Sequence, residues 1–136
     1  MLQAKIATLK PYVLSLLRII AGFTFSLHGF QKIFALLGGM GGTGAKAQFF
    51  SLIWFAGFLE LVGGLLLILG LFTVPTAFLL SGQMAVAYFM AHWPRGFWPI
   101  LNGGELGALY SFVFLYLFAA GPGPWSLDRL LRKKPT

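Results

Sequence analysis

Long apolar stretches separated by short polar segments dominate the pattern along this 136-residue chain. Each stretch approaches the roughly 20 residues that an α-helix needs to cross a hydrocarbon core of about 30 Å. We predict four membrane-spanning helices, at about residues 12–37, 49–72, 74–90 and 103–120. The stretches are continuously apolar, whereas the strands of a membrane β-barrel would alternate apolar and polar positions. The predicted fold class is therefore all-α, a polytopic four-helix transmembrane bundle.

The last residues predict a short amphipathic helix after the fourth span. A Gly-Pro-Gly-Pro segment at 121–124 ends the span, and Ser126 can cap a new helix over about 126–133. Leucines and basic residues fall on opposite faces of this helix: Leu127, Leu130 and Leu131 against Arg129, Arg132 and Lys133. That pattern is typical of a helix lying on an anionic membrane surface. We expect the whole chain, residues 1–136, to form one membrane domain.

Composition and charge agree with a membrane protein. Hydrophobic residues make up 58% of the chain and charged residues only 10%, against roughly a quarter in soluble proteins. The net charge is +7, but the basic residues are scattered and form no stripe along a phosphate backbone, so we expect no nucleic-acid partner. Six Lys and Arg flank the spans on the side of the termini and two on the other side. This bias predicts a multi-pass protein of the cytoplasmic (inner) membrane with both termini in the cytoplasm.

Few residue types that carry catalysis are present. The chain has no Cys, which excludes a disulfide, a thiolate metal site or a redox dithiol within it. The two histidines, His28 and His92, both lie toward the outer side, where a haem between them is conceivable, but we predict no metal site. Asp128 lies on the opposite side, so no Ser/His/Asp arrangement is visible. We expect a protein that is not catalytic alone.

Charged residues inside the apolar stretches are the strongest candidates for function, because charge at membrane depth is costly and usually faces a partner or a cavity. Four such residues occur: Arg18, Lys32, Glu60 and Glu105. At 1.5 Å per residue, Arg18 lies roughly 10 Å from the inner side and Glu60 roughly 15 Å from the outer side. Gln83 lies at a similar depth in the third span. We therefore predict a polar cluster of Arg18, Glu60 and Gln83 in the middle of the bundle.

A second polar level is predicted near the outer surface. Lys32 is expected to meet Glu105 there, with Asn102 nearby and His28 one helical turn deeper. Between the two levels, Phe, Tyr and Met residues could line a site for a flat apolar ligand. Two interpretations remain open at this point, because the same aromatic residues could be ordinary packing and the buried charges could simply fix helix register.

An ordered set of short motifs resembles the DoxX family of small four-helix membrane proteins. The match runs from about residue 17 to residue 128. The motifs are Leu17-Arg18-Ile19-x-x-Gly22, His28-Gly29-x-x-Lys32, Glu60-x-x-Gly63-Gly64-x-Leu66-x-x-Leu69-Gly70-Leu71, Asn102-Gly103-Gly104-Glu105 and Gly121-Pro122-Gly123-x-Trp125-Ser126-x-Asp128. The positions shared with the family include Arg18, His28, Lys32, Glu60 and Glu105.

The resemblance implies a bacterial or archaeal membrane protein of a functionally mixed family. Its members include the membrane subunit of thiosulfate:quinone oxidoreductase and membrane components that accompany superoxide dismutase and a sulfurtransferase. Some eukaryotic relatives look like cargo receptors or receptor-assembly chaperones. Fold analogy alone does not choose among such roles.

The preferred hypothesis is a membrane subunit of a quinone-linked redox complex, working with a soluble or membrane redox protein. Glu60 and Arg18 would manage protons, and His28 or Lys32 would bond a carbonyl oxygen of the quinone, with Gln83, Asn102 and Glu105 as further ligand-binding candidates. The alternatives are a non-enzymatic scaffold or chaperone that binds a partner through glycine-lined helix faces, and a small proton-coupled transporter. A homodimer is compatible with all three.

Overall fold

The computed structural model describes residues 1–132 and is helical throughout its long elements. Within these residues no β-strand is formed, and only an isolated bridge joins Met40 and Ala45. The helices are α1 (Leu2–Phe34), α2 (Leu52–Leu69), α3 (Thr73–Ala87), α4 (Pro99–Asn102), α5 (Glu105–Ala120) and α6 (Leu127–Arg132). A π-helical turn (Tyr88–His92) and a 3-10 turn (Trp93–Arg95) continue α3. The predicted all-α fold class is confirmed.

The helix boundaries differ from the prediction mainly at the first helix. Helix α1 begins ten residues earlier than the predicted start at residue 12, and its 33 residues extend over about 50 Å. By length and composition α1, α2 and the segment Thr73–Arg95, which is α3 with the two turns that continue it, are each able to cross a membrane. Helix α5 is a shorter apolar helix of 16 residues. The predicted C-terminal helix is present over Leu127–Arg132, and its expected last residue, 133, lies outside the described residues.

Glycines bring α1 and α2 into direct backbone contact. A Cβ atom built on Gly22 would lie 2.7 Å from the Gly64 carbonyl oxygen, and one on Gly29 would lie 2.7 Å from the Gly57 carbonyl oxygen. Distances this short leave no room for a side chain, so the antiparallel pair can pack at this separation only with glycine at these positions. The glycine-lined faces of α1 and α2 therefore pack against each other within one chain.

A second antiparallel pair, α3 and α5, packs against the first. Ser81 and Ser111 join these helices reciprocally, each hydroxyl donating to the other residue's carbonyl oxygen at 2.8 and 3.0 Å. Such exchanged bonds satisfy both hydroxyls in a setting that offers no water. The apolar core lies where the two pairs meet, and it consists of Ala21, Phe25, Leu67, Ala77, Leu80, Met84, Phe114 and Leu117.

The two ends of the bundle hold different segments of the chain. We call the end that holds residues 1–17, 70–72 and 121–132 the terminal end, and the end that holds residues 35–51 and 88–104 the loop end. The terminal end is held together by Trp125, whose ring packs on Tyr12 at 5.4 Å and whose amide donates to the Ser15 hydroxyl at 3.2 Å. The N-terminal residue and α6 consequently lie at the same end of the bundle, as an even number of spans requires.

The α1–α2 contact predicts unequal effects for two glycine substitutions. Gly29→Ala forces the helices apart, and we expect it to destabilise the protein by about 1–3 kcal/mol, the usual cost of overpacking. Gly82→Ala in α3 is the matched control, because a Cβ atom there meets nothing within 4 Å. Thermal unfolding in detergent, followed by the loss of the monodisperse chromatographic peak, measures both. Equal melting temperatures for the two variants would contradict this packing.

Candidate functional site

An ion pair between Lys32 of α1 and Glu60 of α2 forms the centre of the candidate site. Lys32 Nζ lies 2.6 Å from Glu60 Oε1 and 2.8 Å from Oε2, so the ammonium group donates to both carboxylate oxygens. The Glu60 side chain is 3% exposed, whereas that of Lys32 is 25% exposed. Gly57 permits this geometry, because a Cβ atom on it would lie 2.7 Å from the Cβ atom of Lys32.

The ion pair forms part of the wall of a cavity of about 290 Å³ toward the loop end. Helices α1, α2, α3 and α5 and the π-helical turn all contribute to the lining. Besides Lys32 and Glu60, the cavity is lined by His28, Tyr88, His92 and Tyr110 among mainly apolar neighbours such as Phe25 and Met84. It combines one charged wall with aromatic and aliphatic walls, which is the usual composition of a site for a small organic molecule.

An apolar groove between α1 and α5 adjoins this cavity. The groove has a volume of about 710 Å³, and its lining is aliphatic except for Thr24, His28, Gln31 and Tyr110. His28, Leu106 and Tyr110 line both the cavity and the groove. The cavity and the groove therefore meet at these residues. The cavity, which carries the ion pair, adjoins the larger and mainly aliphatic groove.

Tyr110 is fixed at this junction by contacts with α1. Its hydroxyl donates to Thr24 Oγ1 at 2.7 Å, and its ring packs against Phe25 at 5.1 Å and edge-on against His28 at 6.3 Å. These contacts hold α5 against α1 at the place where the groove meets the cavity. No pattern in the sequence singles out Tyr110, since one tyrosine in an apolar helix is normally part of the packing.

The loop-end wall of the cavity is organised by Asn102, which is 1% exposed. Its amide nitrogen donates to the Gly96 carbonyl oxygen at 2.9 Å and to the Tyr88 hydroxyl at 3.2 Å, and its side-chain oxygen accepts from Gly104 N at 2.8 Å. Its own carbonyl oxygen lies 3.1 Å from Nδ1 of His92. Asn102 thus positions Tyr88 and His92, which do line the cavity, and it does not line the cavity itself.

Arg18 lies apart from this site, which corrects the predicted cluster of Arg18, Glu60 and Gln83. The guanidinium group is fully buried at the terminal end. Its Nε donates to the Leu67 carbonyl oxygen at 2.8 Å, and its two terminal nitrogens donate to the carbonyl oxygens of Pro122 and Trp125. The depth estimate placed Arg18 and Glu60 at one level, but the Arg18 side chain extends toward the terminal end, where it bonds a carbonyl in the last turn of α2 and two carbonyls after the end of α5.

The other two expected contacts are also replaced. Gln83 donates from Nε2 to the Ala56 carbonyl oxygen at 3.2 Å, across the α2–α3 contact, instead of joining Arg18. Glu105 is exposed in the first turn of α5, where a carboxylate is favoured by the helix dipole, and Lys32 pairs with Glu60 instead. The α1–α2 glycines decide the latter result, because they hold Lys32 and Glu60 on directly facing helices.

Asp128 has a structural role that the sequence did not indicate. Its two carboxylate oxygens accept from the backbone amides of Phe72 and Thr73 at 2.8 and 2.9 Å, at the start of α3. Phe72, the residue at the cap position, offers no side-chain oxygen, so the cap comes from a residue 56 positions further along the chain. Together with Arg18, this bond fixes residues 121–128 to the bundle.

Metal-ligating side chains are not clustered in the described part of the chain. Among residues 1–132 no group of three or more His, Asp or Glu side chains is placed to hold a metal ion. His28 and His92 both line the cavity, where they face the Lys32–Glu60 pair from different helical elements. The cavity wall carries hydrogen-bonding side chains beside an apolar compartment.

Comparison with known proteins places this architecture in a family. The DoxX family profile matches residues 13–93, which is more than half of the chain. The chain belongs to the DoxX family. This confirms the resemblance seen in the motifs, and it makes the protein a membrane protein. No solved structure matches the chain.

Two relatives show how far the similarity to other DoxX-type chains extends. The chain is 47% identical over 129 residues to an uncharacterized protein of Haemophilus influenzae, covering 92% of this chain and 95% of that protein. It is 32% identical over 90 residues to an uncharacterized membrane protein of Mycobacterium tuberculosis, covering 59% of this chain and 55% of that protein. The DoxX assignment rests on the family profile, and the similarity to the Haemophilus influenzae protein extends along nearly the whole chain.

The position of Arg18 predicts a structural role in this DoxX protein. Arg18→Met removes a donor from three carbonyl oxygens; that of Leu67 keeps its bond from Gly70 N, whereas leaving the Pro122 and Trp125 acceptors unpaired costs roughly 1–3 kcal/mol each. We expect a loss of stability of about 3 kcal/mol or more and rapid proteolysis within residues 121–126. Arg129→Met, at an exposed position of α6, is the control. Wild-type stability and protease resistance in Arg18→Met would show that the guanidinium does not hold this segment.

Proposed function

We propose that this protein is the membrane subunit of a quinone-linked oxidoreductase complex and that it holds a quinone between α1 and α5. The observation that supports this most directly is the continuity of a charged cavity with an apolar groove at His28, Leu106 and Tyr110. A membrane quinone has a flat polar ring and a long apolar chain, so it matches both compartments in order. The preference for this role within the DoxX family follows from the cavity and not from the fold.

The residues around the cavity fit a quinone ring in size and in chemistry. The cavity and the groove together correspond to the volumes of about 300–1,000 Å³ that small-molecule sites occupy. The two carbonyl oxygens of a quinone need hydrogen-bond donors, and Lys32 Nζ, an imidazole nitrogen of His28 and the Tyr88 hydroxyl are donors on the cavity wall. Phe25 and Tyr110 offer aromatic faces for the ring.

When bound, a quinone accepts two electrons and two protons. We assign the electrons to a redox-active partner protein. Glu60 and Lys32 hold a proton within their ion pair beside the cavity, and His28 can relay a proton because imidazole both donates and accepts. The apolar groove excludes water from the junction, which favours transfer along these side chains over exchange with solvent. Arg18 has no part in this proposal, because it lies at the terminal end.

The orientation in the membrane follows from the charges at the two ends. The terminal end carries Lys5, Lys10, Arg129 and Arg132, whereas Lys46 and Arg95 lie at the loop end. By the positive-inside rule the terminal end faces the cytoplasm of a bacterial inner membrane, and the cavity opens near the outer surface. A partner that delivers electrons to the cavity would then approach from the loop end.

The scaffold alternative loses its main support. It required glycine-lined faces that are free to bind another membrane protein, but Gly22, Gly29, Gly57 and Gly64 are used between α1 and α2. A buried ion pair could nevertheless serve only to fix helix register. Ligand binding and the effect of removing the pair distinguish these roles.

Quinone retention is the direct test of the proposed site. We expect gentle extraction from native membranes to yield about one isoprenoid quinone per chain, identified by mass spectrometry of the lipid extract. Leu106→Trp should reduce retention at least tenfold, because Leu106 lines both compartments and a larger side chain fills their junction. Leu115→Trp is the control: it lies on the same helix, is exposed, and lines neither compartment. Equal quinone content in the two variants, or none in the wild type, would contradict the site.

Substitution of the ion pair tests the proton role. We expect Glu60→Gln to retain quinone and full abundance while quinone reduction by isolated membranes falls at least tenfold, because Gln cannot release a proton. The double variant Lys32→Met/Glu60→Met removes both charges together, so no unpaired charge remains buried. If the pair serves only register, Glu60→Gln loses abundance and the double variant recovers both abundance and activity. That recovery of activity would reject the proton role.

A further inference from the structure

Helix α1 extends well beyond the bundle that the other helices form. The end of α2 lies level with Arg18, whose Nε bonds the Leu67 carbonyl oxygen. All residues before position 14 are exposed, and the first buried residue of the helix is Ser15. Residues 2–13 therefore extend roughly 18 Å past α2, at 1.5 Å per residue. This projection carries apolar side chains, among them Leu2, Ile6 and Leu9.

The exposed apolar residues of α1 repeat with alternating spacings of four and three. Six of them show this spacing, each between 49% and 72% exposed: Leu2, Ile6, Leu9, Val13, Leu16 and Ile20. We call these six residues the α1 seam. A spacing of this kind is the heptad pattern of coiled coils, with Ile6, Val13 and Ile20 at the a positions and Leu2, Leu9 and Leu16 at the d positions. The pattern is unbroken from the projection into the apolar span.

The α1 seam lies opposite the face that α1 uses within its own chain. The buried residues of the helix fall at the b, c, f and g positions, as shown by Ser15, Arg18, Gly22, Phe25 and Ser26. Pro11, which interrupts the helical hydrogen bonds, also falls at an f position and leaves the seam uninterrupted. Lipid can cover the part of the seam within the membrane, but the roughly 50 Å length of α1 exceeds a hydrocarbon core of about 30 Å, so part of the seam extends beyond the lipid chains.

We propose that the α1 seam binds the same seam of a second copy of this chain, as a parallel two-stranded coiled coil. The a and d residues favour this occupant, because β-branched residues at a with leucine at d select parallel dimers over larger assemblies. The membrane imposes the same arrangement, since two copies inserted with one orientation present α1 in parallel. The dimer uses a face that neither the cavity nor the α1–α2 contact requires, and it shares only Ile20 with the lining of the apolar groove.

The area available is sufficient for a reversible dimer. Six apolar side chains that are about half exposed bury on the order of 100 Å² each, so both copies together bury on the order of 1,200 Å², the lower limit of specific interfaces. Lys5 and Lys10 fall at the flanking g and e positions, where Lys5 of one copy faces Lys10 of the other. This like-charge contact weakens the dimer, and it makes the register testable.

Single cysteines in this Cys-free chain test the seam directly. Purified full-length Ile6→Cys and Leu9→Cys variants are reconstituted at high lipid-to-protein ratio and oxidised with copper phenanthroline. A disulfide requires Cα atoms within about 7 Å, so both variants should form covalent dimers in at least fivefold higher yield than Ala4→Cys and Thr8→Cys. The two controls are exposed positions of the same projection, at f and c. Unchanged melting temperatures establish that all four variants remain folded.

Each other outcome overturns the proposal. Equal yields at all four positions indicate random collision, and no disulfide at Ile6→Cys or Leu9→Cys indicates that the seam does not bind a second copy of this chain. Only copies of this chain are present in the vesicles, so a positive result identifies the occupant. Quinone retention plays no part in this measurement, which makes it independent of the proposed function.

A charge exchange tests the parallel register. Lys10→Glu, introduced into Leu9→Cys, converts both Lys5–Lys10 contacts into opposite-charge pairs and should raise the disulfide yield at least twofold at low salt. Lys5→Glu together with Lys10→Glu restores like charges and should return the yield to the starting value or below. If both charge variants change the yield equally, the parallel register is wrong.

Discussion

The close backbone contact between α1 and α2 determines most of what the rest of the structure can do. Gly22 and Gly64 meet near the middle of the pair, and Gly29 and Gly57 meet toward the loop end. At this separation neither helix can slide without bringing a side chain against a backbone, so the register is fixed. Lys32 and Glu60 consequently face each other across the contact, and the charged wall of the cavity is a product of glycine packing.

The uneven contact between the two helix pairs explains the shape of the cavity. Helix α1 packs tightly on α2 but meets α5 chiefly through Phe25, Thr24 and their contacts with Tyr110 and Phe114. A gap remains between α1 and α5, and it becomes the apolar groove. Because Leu106 and Tyr110 stand where this groove meets the charged cavity, α5 controls access from the lipid side.

The polar residues divide the molecule into two ends with different tasks. At the terminal end, Arg18 and Asp128 bond backbone groups and hold the last described segment in place. At the loop end, Asn102 bonds backbone and side-chain groups around a cavity that remains lined by Lys32, His28 and His92. The polar groups at the terminal end bond backbone atoms, whereas Lys32, His28 and His92 at the loop end line a cavity. The α1 seam is a separate exposed surface, which neither set of polar residues uses.

The sequence by itself determined the fold class, the family and which charged residues lie within apolar stretches. Hydropathy, helical periodicity and the cost of buried charge are local properties, so they can be read without the tertiary structure. Long apolar stretches require helices, and Arg18, Lys32 and Glu60 require partners wherever they lie in the membrane. Which partners they have was decided only in the tertiary structure. Depth along a helix axis gives no information about which faces meet, nor about carbonyls exposed where other helices end. Arg18 thus pairs with carbonyls brought from residues 67, 122 and 125, Lys32 pairs with Glu60, and Asp128 caps a helix 55 residues away, all through contacts between elements distant in the chain.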